Sequence, residues 1–280
     1  MIEWQYSDVS HCALSNKFIV VIPCYNAEET IENTILSVLH QDFDDLGIII
    51  RNDMSTDGTG EKVKEIFKVD PAKTSFLVTH ERRSVIYIEN AKKLYGGGNT
   101  YDSVINYVAS PYSIVGVVDG DDHLVVENAI SKVYQAYQDN PGKWLIWSQH
   151  FSAARKYSNI IGYSDYLPPD EIIYNTRAYW SVSHFRTCLA GLFQFIDPAD
   201  LADPYDRNEY AKVCGDAAFL YPMIELCGNR SSLFLEDVLY YYNDVLNSND
   251  INVYHSEIDF YKRYYEYKKS YPQLPADIDF

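Results

Sequence analysis

Apolar residues fall along this chain in short blocks separated by amphipathic stretches. Phe18-Ile19-Val20-Val21-Ile22 is a continuous apolar run stopped by Pro23. A run of that length without polar alternation predicts a strand buried on both faces. Residues Ala27 to Gln41 change to a helical period, with Ile31, Ile35, Val38 and Leu39 on one face and Glu28, Glu29 and Glu32 on the other. Glutamates in the first turn suit the positive end of the helix dipole. Leu46 to Ile50 predicts a second buried strand. Ser55-Thr56-Asp57-Gly58-Thr59 predicts a turn and N-cap leading to a helix near Gly60–Phe67. Ser75–Thr79 and Val85–Ile88 predict two more strands. Gly96-Gly97-Gly98-Asn99 predicts a flexible turn before a helix from about Thr100 to Ala109. A strand at Ser113–Val118, a helix at Asn128–Gln138 and a strand at Trp144–Ser148 follow.

Strands alternating with helices imply an α/β fold with a doubly wound, mostly parallel sheet and helices on both faces. In such sheets ligands bind outside the carboxyl ends of the strands. Pro23-Cys24-Tyr25-Asn26, Asn52-Asp53 and Asp119–Asp122 each follow an apolar strand, so they are expected to converge on one crevice. After about Phe151 the pattern loosens. A loop with Pro168-Pro169 leads to Ser183-His184-Phe185-Arg186-Thr187, a helix is expected at Asp216–Leu226, a strand at Leu235–Tyr242 and a charged, Tyr-rich helix at Ser256–Lys269. There is no internal repeat or clear linker. The expected organisation is one domain over 1–280, with 17–150 as a first half and 151–280 packed onto it as a C-terminal extension.

A length of 280 residues suffices for one large core. The formal charge of −17 excludes a phosphate-tracking nucleic-acid binder, which needs a basic stripe, and docking on anionic lipid by charge. An acidic chain that handles an anionic substrate needs a local device: a metal ion, a helix N-terminus or a few placed cations. The five cysteines are scattered and form no CxxC pair, which suits reduced thiols. Met1 to Asn16 has no signal-peptide pattern and no apolar run is long enough to span a bilayer, so a soluble cytoplasmic protein is expected. Many of the 26 tyrosines fall after Tyr205 and predict either a packing face or a sugar-stacking surface.

Val117-Val118-Asp119-Gly120-Asp121-Asp122-His123-Leu124 places three carboxylates within four residues at a strand end. Crowded carboxylates repel one another and resist desolvation. Two readings fit: a solvated acidic turn, or a site where a divalent cation sits among the oxygens.

Four segments in order then resemble family 2 glycosyltransferases of the GT-A fold. They are "FIVVIPCYN" at Phe18–Asn26 with Glu28-Glu29 following, "IIIRNDMSTDGT" at Ile48–Thr59, "VVDGDDHL", and an acceptor-side series of "SHFRTCLAGLF", "GDAAFLYPMIELCG" and "LYYYN". The resemblance covers roughly residues 17 to 245. It implies a GT-A, Rossmann-like sheet with a nucleotide-sugar half and an acceptor-side half, and a metal-dependent inverting enzyme that moves one sugar from a nucleotide sugar, a UDP-sugar above others, to a hydroxyl of a glycan or other acceptor. It implies a donor site at Pro23, Tyr25, Asn26, Glu28, Asn52, Asp53, Asp119, Gly120 and Asp122, with Tyr25 against the base and Asp53 accepting from the base ring N–H. Gly98 and Asn99 would let the backbone approach the donor. Asp121 and Asp119 would hold Mn²⁺ or Mg²⁺, with His255 as a further ligand where the rival reading is an exposed loop histidine. His184 and Arg186 would bind acceptor hydroxyls or donor phosphate. Asp216 would be the general base, its rival role being a helix N-cap after Gly215. Asn52 stands where the family often has Asp and Met54 where it often has Gly, and the QxxRW run of processive synthases is absent. The competing classes are a non-catalytic sugar-nucleotide or glycan-binding relative and a sugar nucleotidyltransferase. The second would need a Gly-rich basic loop after the first strand that "PCYNAEET" does not supply.

Overall fold

The computed structural model describes residues 3–9, 12–153, 162, 164–175, 177, 179–245 and 255–280, the side chains of 255 and 256 excepted. In chain order the elements are β1 (Gln5–Ser7), β2 (Phe18–Cys24), α1 (Ile31–Leu39), β3 (Leu46–Asn52), α2 (Thr59–Phe67), β4 (Ser75–His80), β5 (Arg83–Glu89), α3 (Tyr95–Tyr107), β6 (Ile114–Val117), β7 (His123–Leu124), α4 (Ala129–Asp139), β8 (Leu145–Ser152), α5 (Asp170–Ile173), β9 (Arg186–Leu189), α6 (Gly215–Cys227), β10 (Ser232–Tyr242) and α7 (His255–Glu266). Short 3-10 turns at Ala190–Phe195 and Pro198–Asp200 lie between β9 and α6.

The strands form one sheet in the order β1-β4-β5-β3-β2-β6-β9-β8-β10-β7. The centre, β5-β3-β2-β6, is parallel, and β8 and β10 are parallel to each other. β2 is buried along its whole length, which is why its apolar run does not alternate. Phe18, Val20 and Ile22 pack with Ile31, Ile35 and Val38 of α1 on one face. Ile19 and Val21 face the other side, in the clusters around Ile49 and Val115.

Three expectations change. Pro23 does not stop its strand: it pairs with Arg51 and the strand runs on to Cys24. Its carbonyl accepts from the Gly120 N–H at 2.9 Å, so its missing N–H faces the side where β6 has already ended and costs no ladder bond. The first helix begins at Ile31 rather than Ala27. The N–H groups of Asn26, Ala27 and Glu28 are taken by the side chains of Ser55, Thr59 and Asp57, which lock the two loops beyond β2 and β3 together. The glycine run lies inside α3, not in a turn. A β-carbon on Gly97 would sit 2.4 Å from the Gly215 carbonyl oxygen, so the glycine lets α3 and the start of α6 touch backbone to backbone.

The sheet is also mixed beyond the parallel centre. β9 enters antiparallel between β6 and β8, with Val115 opposite Cys188 and Ile146 opposite Thr187. β4, β1 and β7 pair antiparallel as well. No helix among the described residues is long and apolar enough to cross a membrane.

Candidate active site

A cleft of about 1060 Å³ opens beyond the carboxyl ends of β2, β3 and β6 and extends across the start of α6 to α7. Pro23, Tyr25, Asn26, Glu28, Asp53, Asn99, Asp119, Gly120, Asp121, His184, Arg186 and Asp216 all line it. Three strand ends, β9 and a helix start thus bring together side chains that lie far apart in the chain.

At the β2–β3 side, the Tyr25 ring is 48% exposed and Lys93 lies over its face. Asp53 is buried. Its carboxylate accepts from the Asn90 amide at 2.7 Å and from the backbone N–H groups of Leu94 and Tyr95, both at 2.9 Å. It therefore shapes the entry to α3 as well as facing the cleft. The Asn26 side chain accepts from the Thr56 N–H, and Glu28 accepts from the Gly58 N–H at 3.0 Å, so both also brace the neighbouring loop. Asn99 is buried and accepts from Asn90 at 2.6 Å.

Three expected donor residues, Asn52, Gly98 and Asp122, do not line the cleft. Asn52 is buried, donates to the Tyr87 hydroxyl at 3.1 Å and accepts from the Ser55 N–H at 3.1 Å. Gly98 is packed against the Tyr210 ring, where a β-carbon would come within 2.5 Å.

The acidic loop splits its work. Gly120 passes so close to β2 that a β-carbon would lie 2.5 Å from that of Cys24, which explains glycine between two aspartates. Asp122 is buried and turned away from the cleft. It accepts from the Tyr240 hydroxyl and the Asn243 N–H, both at 2.7 Å, and so ties the end of β10 to the loop. Asp119 and Asp121 face the cavity. Burial pushes the Asp121 carboxyl up to about 7, with the Asp119 charge adding to it. Burial alone would raise Asp119 too, but His184 and Arg186 beside it hold it below the usual carboxylate range. Asp122 is pushed well up by burial and by its two acidic neighbours.

Arg186, at the head of β9, is buried and connects the two poles of the cleft. One guanidinium nitrogen lies 3.6 Å from Asp119 and another 3.2 Å from Asp216. Asp216 is the second residue of α6, and its other oxygen accepts from the Ala217 N–H at 2.8 Å. Cys214 is the N-cap of α6, so the N-cap role weighed against catalysis does not fall to Asp216, and its carboxylate lines the cavity. The His184 ring is sandwiched between Tyr240 and Tyr242, at 4.8 and 4.6 Å, with Nε2 3.7 Å from Asp119. Burial, reinforced by Arg186, depresses its pKa and favours the neutral ring. The side chain of His255 lies outside the described residues.

The donor set fits a hard divalent cation. Asp119, Asp122 and His184 offer ligand atoms within 4.8 Å of one another, and Asp121 adds a cleft-facing carboxylate. Three carboxylates confined this closely raise one another's proton affinity, a conflict that a cation relieves. With both Asp122 oxygens engaged by β10, Asp119 and Asp121 are the pair open to an ion from the cavity.

The residues missed from sequence are mainly aromatic and basic: Lys93, Lys212 and Lys262 on the walls, and Tyr240 and Tyr242 behind the acidic loop. The tyrosines left a trace in "LYYYN". Strand alternation sends Tyr240 and Tyr242 to His184 and Tyr241 to the opposite face, stacked on His123.

A family model described as glycosyl transferase family 2 matches residues 19–197. Among curated relatives, a processive diacylglycerol beta-glycosyltransferase of Mycoplasma pneumoniae is 28% identical over 124 residues, 44% of this chain and 33% of the relative. The chain spans between 16% and 39% of the length of the curated relatives it matches. The fold is similar to S. aureus TarS 1-349 in complex with UDP-GlcNAc, with a TM-score of 0.54, 16% identity, and coverage of 82% of this chain and 59% of that one. It is also similar to the mannosyltransferase PcManGT from Pyrobaculum calidifontis in complex with GDP-Man and Mn²⁺, with a TM-score of 0.57, 14% identity, and coverage of 91% and 66%. At these identities the structural likenesses show a shared GT-A α/β fold.

Proposed function

The chain belongs to glycosyl transferase family 2, and we propose on that premise that it moves one sugar from a nucleotide sugar to an acceptor hydroxyl with inversion at the anomeric carbon. The observation that carries this reading is the Arg186 bridge, which sets Asp119 and Asp216 at opposite sides of one guanidinium in one cleft. Nucleotide recognition falls to the Tyr25 and Asp53 side, where an exposed ring meets a carboxylate. A UDP-sugar is the proposed donor, because uracil offers the ring N–H that a carboxylate accepts.

Asp119 and Asp121 are the proposed ligands of Mn²⁺ or Mg²⁺. Such an ion supplies charge neutralisation for a departing diphosphate. Arg186 adds a fixed positive charge between the donor and acceptor sides. Asp216 is held by Arg186 and by the N–H of the next residue, so its carboxylate has one orientation. It takes the proton of the acceptor hydroxyl as the new C–O bond forms to the anomeric carbon. The old bond breaks on the opposite face, and its electron pair leaves with the nucleoside diphosphate. The acceptor is a glycan or another hydroxyl compound.

Thermal shift with UDP and GDP, each with and without Mn²⁺, followed by a donor-hydrolysis screen of nucleotide sugars, tests the proposal. Expected are metal-dependent stabilisation by UDP and release of UDP from at least one UDP-sugar. Stabilisation without turnover would instead support a binding relative, and stabilisation by GDP alone would reassign the donor.

A further inference from the structure

The outer half of the cleft differs from its carboxylate pole. Tyr179 and Trp180 stand edge-on to Tyr221 of α6, with ring centroids 6.1 and 5.5 Å away and interplanar angles of 86° and 75°. Tyr221 is fixed from behind, where the Arg177 guanidinium lies 5.6 Å from its ring. Arg177 and Glu225 form a bidentate pair with both bonds at 2.6 Å, and their side chains are 1% and 0% exposed. Burying two charges is costly, and the fork geometry recovers that cost in essentially one orientation, so the pair holds the wall rigid. Arg177 also donates to the carbonyls of Tyr265 and Lys269, at and beyond the end of α7. That helix brings Lys262 and Glu266, one turn apart, to the same cavity. Tyr221 lies in α6 with Asp216, and both line this cavity with Tyr179 and Trp180, so the wall and the candidate base share it.

Resting on the glycosyltransferase reading above, we propose that this wall is a sugar-binding acceptor subsite, in which a pyranose ring lies against Trp180 and its hydroxyls meet Lys262 and Glu266. A pyranose has an apolar C–H face and a rim of hydroxyls that both donate and accept. A half-buried indole in a cavity also lined by one ammonium and one carboxylate matches both features. An acyl chain in the same place would strip water from Lys262, Glu266 and Asp216 with no polar return. A polyanionic acceptor would meet Glu266 and Asp216 in a chain already carrying −17. The subsite therefore selects a carbohydrate acceptor and turns one of its hydroxyls towards Asp216.

The full chain carries its own reporter. Of its four tryptophans, Trp144 and Trp147 are buried and Trp4 packs on Phe67. Trp180 is the one lining the cleft. The protein, alone and with UDP and Mn²⁺, is titrated with methyl glucoside, methyl galactoside, methyl N-acetylglucosaminide and cellobiose. Tryptophan emission and saturation-transfer NMR are followed. At least one glycoside is expected to change the emission saturably. Trp180→Phe should lose that signal while NMR still shows binding, and Trp180→Ala should bind up to about tenfold more weakly. Calorimetric UDP affinity should stay unchanged in both variants. Wild-type emission unmoved by every glycoside, or a Trp180→Ala affinity equal to wild type, overturns the subsite. So does emission that responds to diacylglycerol vesicles and to no glycoside. Loss of UDP binding in the wild type would count against the functional reading alone, since the titrations without nucleotide still decide the subsite.

Discussion

Asp121 and Asp122 are adjacent carboxylates with opposite surroundings, and their substitutions should separate cleanly. Asp121→Ala removes a cleft-facing group and should abolish metal-dependent UDP binding, read by calorimetry, with a melting temperature near wild type. Asp122→Ala removes the acceptor of the Asn243 N–H and of the Tyr240 O–H, whose oxygen still accepts from the Asp119 N–H. The buried Tyr240 donor left unpaired costs about 1–3 kcal/mol, enough to lower the melting temperature by several degrees. Tight UDP–Mn²⁺ binding by the Asp121 variant would remove it from the metal site. Asp216→Asn keeps the size and the Ala217 contact but cannot take a proton. Donor binding should persist while transfer falls by about 10²–10⁴-fold, measured in single turnover. Near-normal transfer would leave Asp216 as a first-turn helix residue with no catalytic part. At this scale Tyr25, Asp53, Asp119 and Asp121 were legible because each lies just beyond an apolar strand. Asn52 misled because the last residue of a strand can point into the sheet packing or out of it, and adjacency to Asp53 does not say which.

At the level of elements, the contact between α3 and α6 decides where Asp216 sits. Alanine in place of an interior helical glycine ordinarily stabilises by about 1 kcal/mol. At Gly97 the new β-carbon would collide with the Gly215 carbonyl, and overpacking of that kind costs about 1–3 kcal/mol. The clash should win. Gly97→Ala is expected to lower the melting temperature and reduce transfer more than UDP affinity, since it displaces the acceptor side. A glycine run reads locally as a turn, and only the neighbouring helix shows why it is helical.

Asp203 similarly ties elements together. It accepts from the N–H groups of Tyr205, Asp206 and Lys212 and from the Tyr261 hydroxyl of α7. Burial opposes its charge, but these donors win and hold its carboxyl below the usual range. A depressed folded-state pKa contributes stability that is complete above the unfolded value of about 3.9 and disappears as pH falls through the folded one. Asp203→Asn should therefore be less stable than wild type at neutral pH and lose less on acidification below about pH 4, as followed by urea midpoints.

Across the whole molecule, charge and topology meet in the cleft. A protein of net charge −17 places Arg186 and three lysines on the walls of this cleft, the local device that an anionic donor requires. The sequence by itself determined the parallel centre of the sheet, because strands covered on both faces must be apolar throughout and leave an unbroken run. It also determined which loops reach the carboxyl ends, because chain order in such a sheet carries that information. Tertiary structure alone decided the rest. Arg186-Thr187-Cys188-Leu189 is too short and mixed to announce itself as a strand. Its antiparallel insertion between β6 and β8 follows from packing against residues dozens of positions away. That insertion sets one guanidinium between Asp119 and Asp216, and the buried Arg177–Glu225 pair sets the aromatic wall opposite. Both are long-range electrostatic contacts with no local period, so they exist only once the chain is folded.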